Sequence, residues 1–113
     1  MTDFKQLEIY WIDLESVRGA ETKKLRPCVI IQSDLVNNQS KTLIVAPLLP
    51  NHKPWPFAVN LEPNPENGLD KERHINLKQL RAVDVSRIGK LQGRLDKEYL
   101  PGIRNALAIV FDW

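Results

Sequence analysis

Arg18, Lys23, Lys24 and Arg26 are gathered around a single acid, Glu21, within one short stretch of this chain. A guanidinium offers a phosphate a rigid fork of N–H donors and stays charged at any working pH. A carboxylate held among cations can take a proton from a hydroxyl or orient it. That combination suits the handling of a phosphate. It also suits a solvated connection that only maintains solubility, and Glu21 can simply pair with Lys23 or Arg26. A second candidate lies in the proline-rich segment Leu49-Pro50-Asn51-His52-Lys53-Pro54-Trp55-Pro56. An indole beside a cation can stack an unpaired base, or it can turn inward and pin the loop.

These groups need a frame. The charged stretch ends in Arg26-Pro27 and runs into Cys28-Val29-Ile30-Ile31, an apolar and β-branched segment that predicts a strand buried on both faces. Pro27 lacks an N–H and holds the residue before it extended, so the strand is predicted to start there, with Arg26 presented from a stiff position. Before the loop, residues 7–14 alternate as a first strand. After a polar connection with room for one helical turn, residues 42–48 form a third, core-like strand. Residues 57–61 alternate again, and Asn67-Gly68 signals a turn. Residues 74–77, 79–83 and 87–91 read as short strands, the last ending at a Gly93 turn. Asp96 is predicted to cap a helix to about residue 112, with Pro101 in its first turn. On that helix Leu100, Ile103, Leu107 and Val110 or Phe111 form one apolar stripe, and Ala106, Ile109 and Trp113 add a second apolar edge. Short strands, one terminal helix and no βαβ alternation predict a mainly β domain with a C-terminal α-helix, built as a small twisted barrel.

The 113 residues allow one domain with one modest core, residues 1–113. A net charge of +2 is too mild to announce a duplex binder. No apolar run reaches membrane-span length, and the charges at Asp3, Lys5, Glu8 and Asp13 leave no signal-peptide core. A cytoplasmic protein is the expectation. Cys28 is the only cysteine, so an internal disulfide is excluded, and between Pro27 and Val29 it reads as a small buried hydrophobe. One cysteine and two scattered histidines show no metal-ligand spacing, so neither metal nor cofactor is expected.

The order of the segments resembles the MazF/PemK family of toxins. The resemblance is carried by Ile9-Tyr10-Trp11-Ile12-Asp13-Leu14, by Arg18-Gly19-Ala20-Glu21, and by Arg26-Pro27-Cys28-Val29-Ile30-Ile31-Gln32-Ser33. It continues through Thr42-Leu43-Ile44-Val45-Ala46-Pro47-Leu48, Gln79-Leu80-Arg81-Ala82-Val83-Asp84-Val85-Ser86-Arg87 and Gly93-Arg94-Leu95. It implies an SH3-like, CcdB/MazF-type barrel that works as a homodimer and cuts single-stranded RNA without a metal. The implied partners are that RNA and a cognate antitoxin with an acidic, disordered tail. Arg26 matches the family's catalytic arginine and Glu21 its loop glutamate. Gln79, Arg81 and Arg87 fall on family positions, although Arg81 and Arg87 can also pair with Asp84. Arg18, Thr22, Lys24, Trp55 and Lys78 are expected to join Gln79 and Arg81 in holding RNA. The chain departs from the pattern in three respects: Leu49 where many members have a hydroxyl, Ala20 where some have a histidine, and Asn76 with Lys78 ahead of the glutamine. The same fold also serves CcdB-like gyrase poisons, whose target contact needs a C-terminal Trp-Gly-Ile tail; this chain ends Phe111-Asp112-Trp113. A catalytically weakened relative that only binds antitoxin or RNA is the third reading, and it rests on Leu49.

Overall fold

The computed structural model describes residues 3–14, 24–37 and 41–113. Within them the chain forms β1 (Glu8–Asp13), β2 (Leu25–Ile30), β3 (Thr42–Pro50), β4 (Ala58–Leu61), β5 (Arg73–Asn76), β6 (Arg81–Asp84), β7 (Ile88–Arg94) and α1 (Leu100–Phe111). The strands lie in the order β4-β5-β3-β2-β1-β7, all paired antiparallel, and β6 also pairs with β3. The path ends at β4 and β7, which do not pair with each other among the described residues, so the sheet stays open where a closed barrel would be sealed.

Strand alternation sorts the side chains of the central strands into two buried clusters. Ile9, Val29, Ala46 and Leu48 face one way and meet Ile103 and Ala106 of α1. Tyr10, Ile12, Cys28, Ile30, Leu43, Val45 and Val83 face the other way. The residues 28–30 segment is therefore buried on both faces, as its unbroken apolar run requires.

Four boundaries differ from the sequence reading, each for a local reason. β2 begins at Leu25, two residues before Pro27, and Pro27 sits inside the strand opposite Trp11. The ladder from β2 to β3 spans Ile30–Val45 to Cys28–Pro47, so among the described residues no strand bonds the β3-facing flank of Leu25–Pro27 and the missing N–H costs no ladder bond to β3. Lys78 and Gln79 lie in a 3-10 turn, Leu77–Gln79, because the Asn76 side chain accepts from the Lys78 N–H at 3.0 Å and bends the chain out of the strand. β7 runs through Gly93 to Arg94; this glycine makes no turn but permits close approach, since a β-carbon there would stand 2.4 Å from the Glu66 carbonyl. Asp96 caps a 3-10 turn, Lys97–Tyr99, by accepting from the Glu98 N–H at 2.8 Å, and α1 follows from Leu100 with Pro101 in its first turn.

Candidate functional site

Arg26 is an exposed residue in the first half of β2, opposite Ile12 of β1. Alternation puts it on the same face as Cys28 and Ile30. Arg81 opens β6 opposite Val45, and Val45 pairs on its other flank with Ile30. Arg81 and Val83 therefore share the face of Arg26 and Cys28, whereas Ala82 and Asp84 point away. The electrostatics agree. Burial pushes the Cys28 thiol up to about 12, while the guanidinium groups of Arg81 and Arg26 both pull it down. Two cations from strands that do not pair with each other thus act on one buried thiol. The thiol itself donates to the Arg26 carbonyl at 3.6 Å and stays protonated, a small core residue as expected.

This placement separates the two arginines that sequence left ambiguous. Asp84 accepts from the Ser86 N–H at 2.9 Å, and the bonds from Ser86, with Lys41 and Arg87 nearby, hold its carboxyl below the usual carboxylate range. Arg87 also donates to the Asp13 carbonyl at 3.4 Å. Arg87 therefore belongs to the Asp84 corner, and Arg81 belongs with Arg26.

Lys78 and Gln79 are exposed on the 3-10 turn immediately before Arg81. The Lys78 ammonium lies over the Phe57 ring at 5.7 Å. Phe57 stacks on Trp55 with ring centres 5.3 Å apart and planes 19° apart, and the Lys53 ammonium lies 5.3 Å from the Trp55 ring centre. Lys78, Phe57, Trp55 and Lys53 are thereby linked in one series of basic and aromatic groups, and Lys78 lies three residues before Arg81 in the chain. Trp55 is both packed and open: it meets Phe57 and the edge-on His74 ring, yet keeps 39% of its surface exposed. Lys24 is exposed just before β2. Arg18, Glu21 and Thr22 lie outside the described residues.

Leu49, at the position of the family hydroxyl, pairs with His74 of β5. Sequence reading assigned His74 no role, and the structure gives it one. Its Nδ1 lies 2.8 Å from the Asn51 carbonyl, which can only accept, so Nδ1 carries the proton; its buried Nε2 has no hydrogen-bond partner among the described residues. Asn60, the β4 partner of His74, holds the Lys53 backbone through two bonds of 3.0 and 3.2 Å. His74 and Asn60 together fix the loop that carries the Trp55–Phe57 stack. His52 likewise braces this loop, with Nε2 3.0 Å from the Leu61 carbonyl and Glu62 and Glu72 at 3.4 and 3.6 Å. Residues 52, 62 and 72 are too far apart in sequence for spacing to have revealed that contact.

A family model described as PemK-like, MazF-like toxin of type II toxin-antitoxin system matches residues 5–111. The chain is 35% identical over 104 residues to the Endoribonuclease MazF of Staphylococcus saprophyticus, covering 90% of this chain and 86% of that protein. Against the protein of the same name from Staphylococcus epidermidis the identity is 36% over 104 residues, with the same coverage. The crystal structure of MazE-MazF from Deinococcus radiodurans superposes with a TM-score of 0.80 at 18% identity, over 99% of this chain and 98% of that one, which shows a shared fold. With the family model spanning nearly the whole chain and more than a third of the aligned positions identical to each staphylococcal protein, the chain belongs to the PemK-like, MazF-like toxins of type II toxin–antitoxin systems.

Proposed function

We propose that residues 1–113 form a single toxin domain acting as a cytoplasmic endoribonuclease that cuts single-stranded RNA without a metal. The observation that carries this reading is the pairing of Arg26 with Arg81 on one face of the sheet, beside the exposed Lys78 and Gln79. In the reaction a 2′-oxygen attacks the neighbouring phosphorus and the 5′-oxygen leaves, giving a 2′,3′-cyclic phosphate and a 5′-hydroxyl. Three tasks follow: removing the 2′ proton, stabilising the charge of the phosphorane, and protonating the leaving oxygen. Arg26 takes the second as the catalytic cation, and Arg81 adds charge from β6 on the same face. Glu21 takes the first. Lys78, a cation adjacent to Gln79, takes over the phosphate contact that Leu49 cannot make. Arg18, Thr22, Lys24, Trp55 and Gln79 hold the strand on either side.

The partners follow the same chemistry. An acidic antitoxin tail is complementary in charge to Arg26, Arg81, Lys78 and Lys53. A second copy of the chain fits the apolar edge of α1, where Ile109, Phe111 and Trp113 are 45%, 48% and 87% exposed and the last two stack at 5.0 Å. The direct test is incubation of the purified protein with long single-stranded RNAs in EDTA. Discrete cuts with cyclic-phosphate ends are expected; intact RNA in the presence of folded protein would overturn the proposal.

A further inference from the structure

A cavity of about 290 Å³ opens beside the start of β2, on the face opposite Arg26. It is lined by Trp11, Pro27, Leu69, Asp70, Arg73 and Gln92, with Gly68 at its rim. The volume lies at the lower end of the range for small-molecule sites, about 300–1,000 Å³, and suits one flat ring system. Its walls are set before any ligand arrives. The Trp11 indole N–H donates to Gln92 Oε1 at 2.6 Å, and Gln92 Nε2 donates in turn to the Gly68 carbonyl. Gly68 needs to be glycine: its φ is +66°, and a β-carbon would collide with the Gln92 carbonyl at 2.4 Å. The indole plane and the loop facing it are thus locked together. Arg73 is held by one N–H on the Leu48 carbonyl at 3.4 Å and keeps other donors for a ligand.

We propose that this cavity is a guanine-recognition subsite of the toxin, an inference that rests on the endoribonuclease reading above. Trp11, Pro27 and Leu69 supply apolar surface for a base plane. The Asp70 carboxylate is an acceptor only, and guanine presents two adjacent donors, N1–H and the N2 amino group. The Arg73 guanidinium is a donor only, and guanine presents two acceptors, O6 and N7. The other bases match this pair less completely, because none offers two adjacent donors with two adjacent acceptors. The site is also within reach of the chemistry. Pro27 lines the cavity and follows Arg26 directly, so the two sites are adjacent along β2.

The test uses Asp70→Asn, a change at an exposed side chain. Ends mapped on long RNA are expected to show guanine at one fixed position within two nucleotides of the wild-type cut, and Asp70→Asn is expected to relax that position while cutting continues. In short RNAs, replacing that guanosine by inosine removes only the N2 amino group. Wild type is expected to cut the inosine RNA about tenfold more slowly, and Asp70→Asn to cut both at equal rates. Wild-type cuts without a fixed guanine, or an unchanged guanosine-to-inosine ratio in the variant, would overturn the subsite. Antitoxin binding lost in Asp70→Asn with an unchanged cleavage pattern would also overturn it, in favour of a protein partner. If wild type cuts no RNA, the endoribonuclease reading fails first. The subsite is then read from binding of 2′-O-methyl oligonucleotides with guanosine or inosine, and equal binding overturns it.

Discussion

Arg26 of β2 and Arg81 of β6 both act on the buried Cys28 thiol, although their strands never pair and are joined only through β3. A shared face brings them together, and that face is a consequence of register. A slip of one residue in β6 would send Arg81 to the side of Asp84 and break the pair.

If the two guanidinium groups serve one phosphate, their effects on cleavage are coupled. Arg81→Met is expected to slow single-turnover cutting about tenfold to a hundredfold and to do much less in an Arg26→Ala background. Strictly multiplicative effects in the double variant would show that the two arginines act independently.

The Lys53–Trp55–Phe57–Lys78 array predicts a particular salt response. Lys78→Ala is expected to weaken binding of 2′-O-methyl RNA, which lacks the nucleophile, and to lower the slope of log affinity against log salt by about 0.7. Trp55→Ala should weaken binding with the slope unchanged, because stacking releases no counterion. An unchanged slope in Lys78→Ala would remove this lysine from the phosphate contacts.

Alkaline pH tests the buried acids. Cys28 is shifted from 9.0 to about 12 and Tyr10 from 10.0 to about 12, in both cases chiefly by burial; Tyr10 is raised further by Glu8, to which its hydroxyl donates at 3.1 Å. Each folded pKa lies above the unfolded one, so the unfolded chain loses these protons first. The stability they contribute is complete below about pH 9 and falls as pH rises toward 12. At pH 10.5, Cys28 alone is expected to account for about 2 kcal/mol of lost stability relative to pH 8. Urea midpoints should show this loss reduced in Cys28→Ala and in Tyr10→Phe; an equal loss in both variants would assign it elsewhere.

The exposed edge of α1 predicts assembly. Ile109→Glu is expected to weaken self-association at least about tenfold in sedimentation, because a carboxylate resists desolvation in an apolar contact. Ile103→Ala, in the covered stripe, should instead cost about 2–5 kcal/mol of folding stability. Unchanged association in Ile109→Glu would move the interface off this helix.

Much of the frame was legible in the chain because it rests on local rules. The apolar run after Pro27 read as a strand buried on both faces, the alternation of residues 7–14 read as β1, and the stripe through Ile103 read as α1. Arg26 stood out because proline stiffens it. What could not be read depends on register between distant strands. Nothing local tells whether Arg81 faces Cys28 or follows Asp84, and nothing in residues 53–57 says that Phe57 will sit between Trp55 and Lys78. Leu77 and Gln79 left the expected strands because of one side-chain cap from Asn76. The cavity lined by Trp11, Pro27, residues 68–73 and Gln92 draws on four distant segments, and the two hydrogen bonds of Gln92 assemble one side of it.

The most direct measurement is single-turnover cleavage of one mapped RNA by wild type and Arg26→Ala, with circular dichroism and urea midpoints confirming that both are equally folded. Removing a charge that stabilises the phosphorane is expected to cost about 10²-fold to 10³-fold in rate without moving the cut. A variant that cuts the same site within tenfold of wild type, leaving the same cyclic-phosphate ends, would contradict the catalytic role of Arg26.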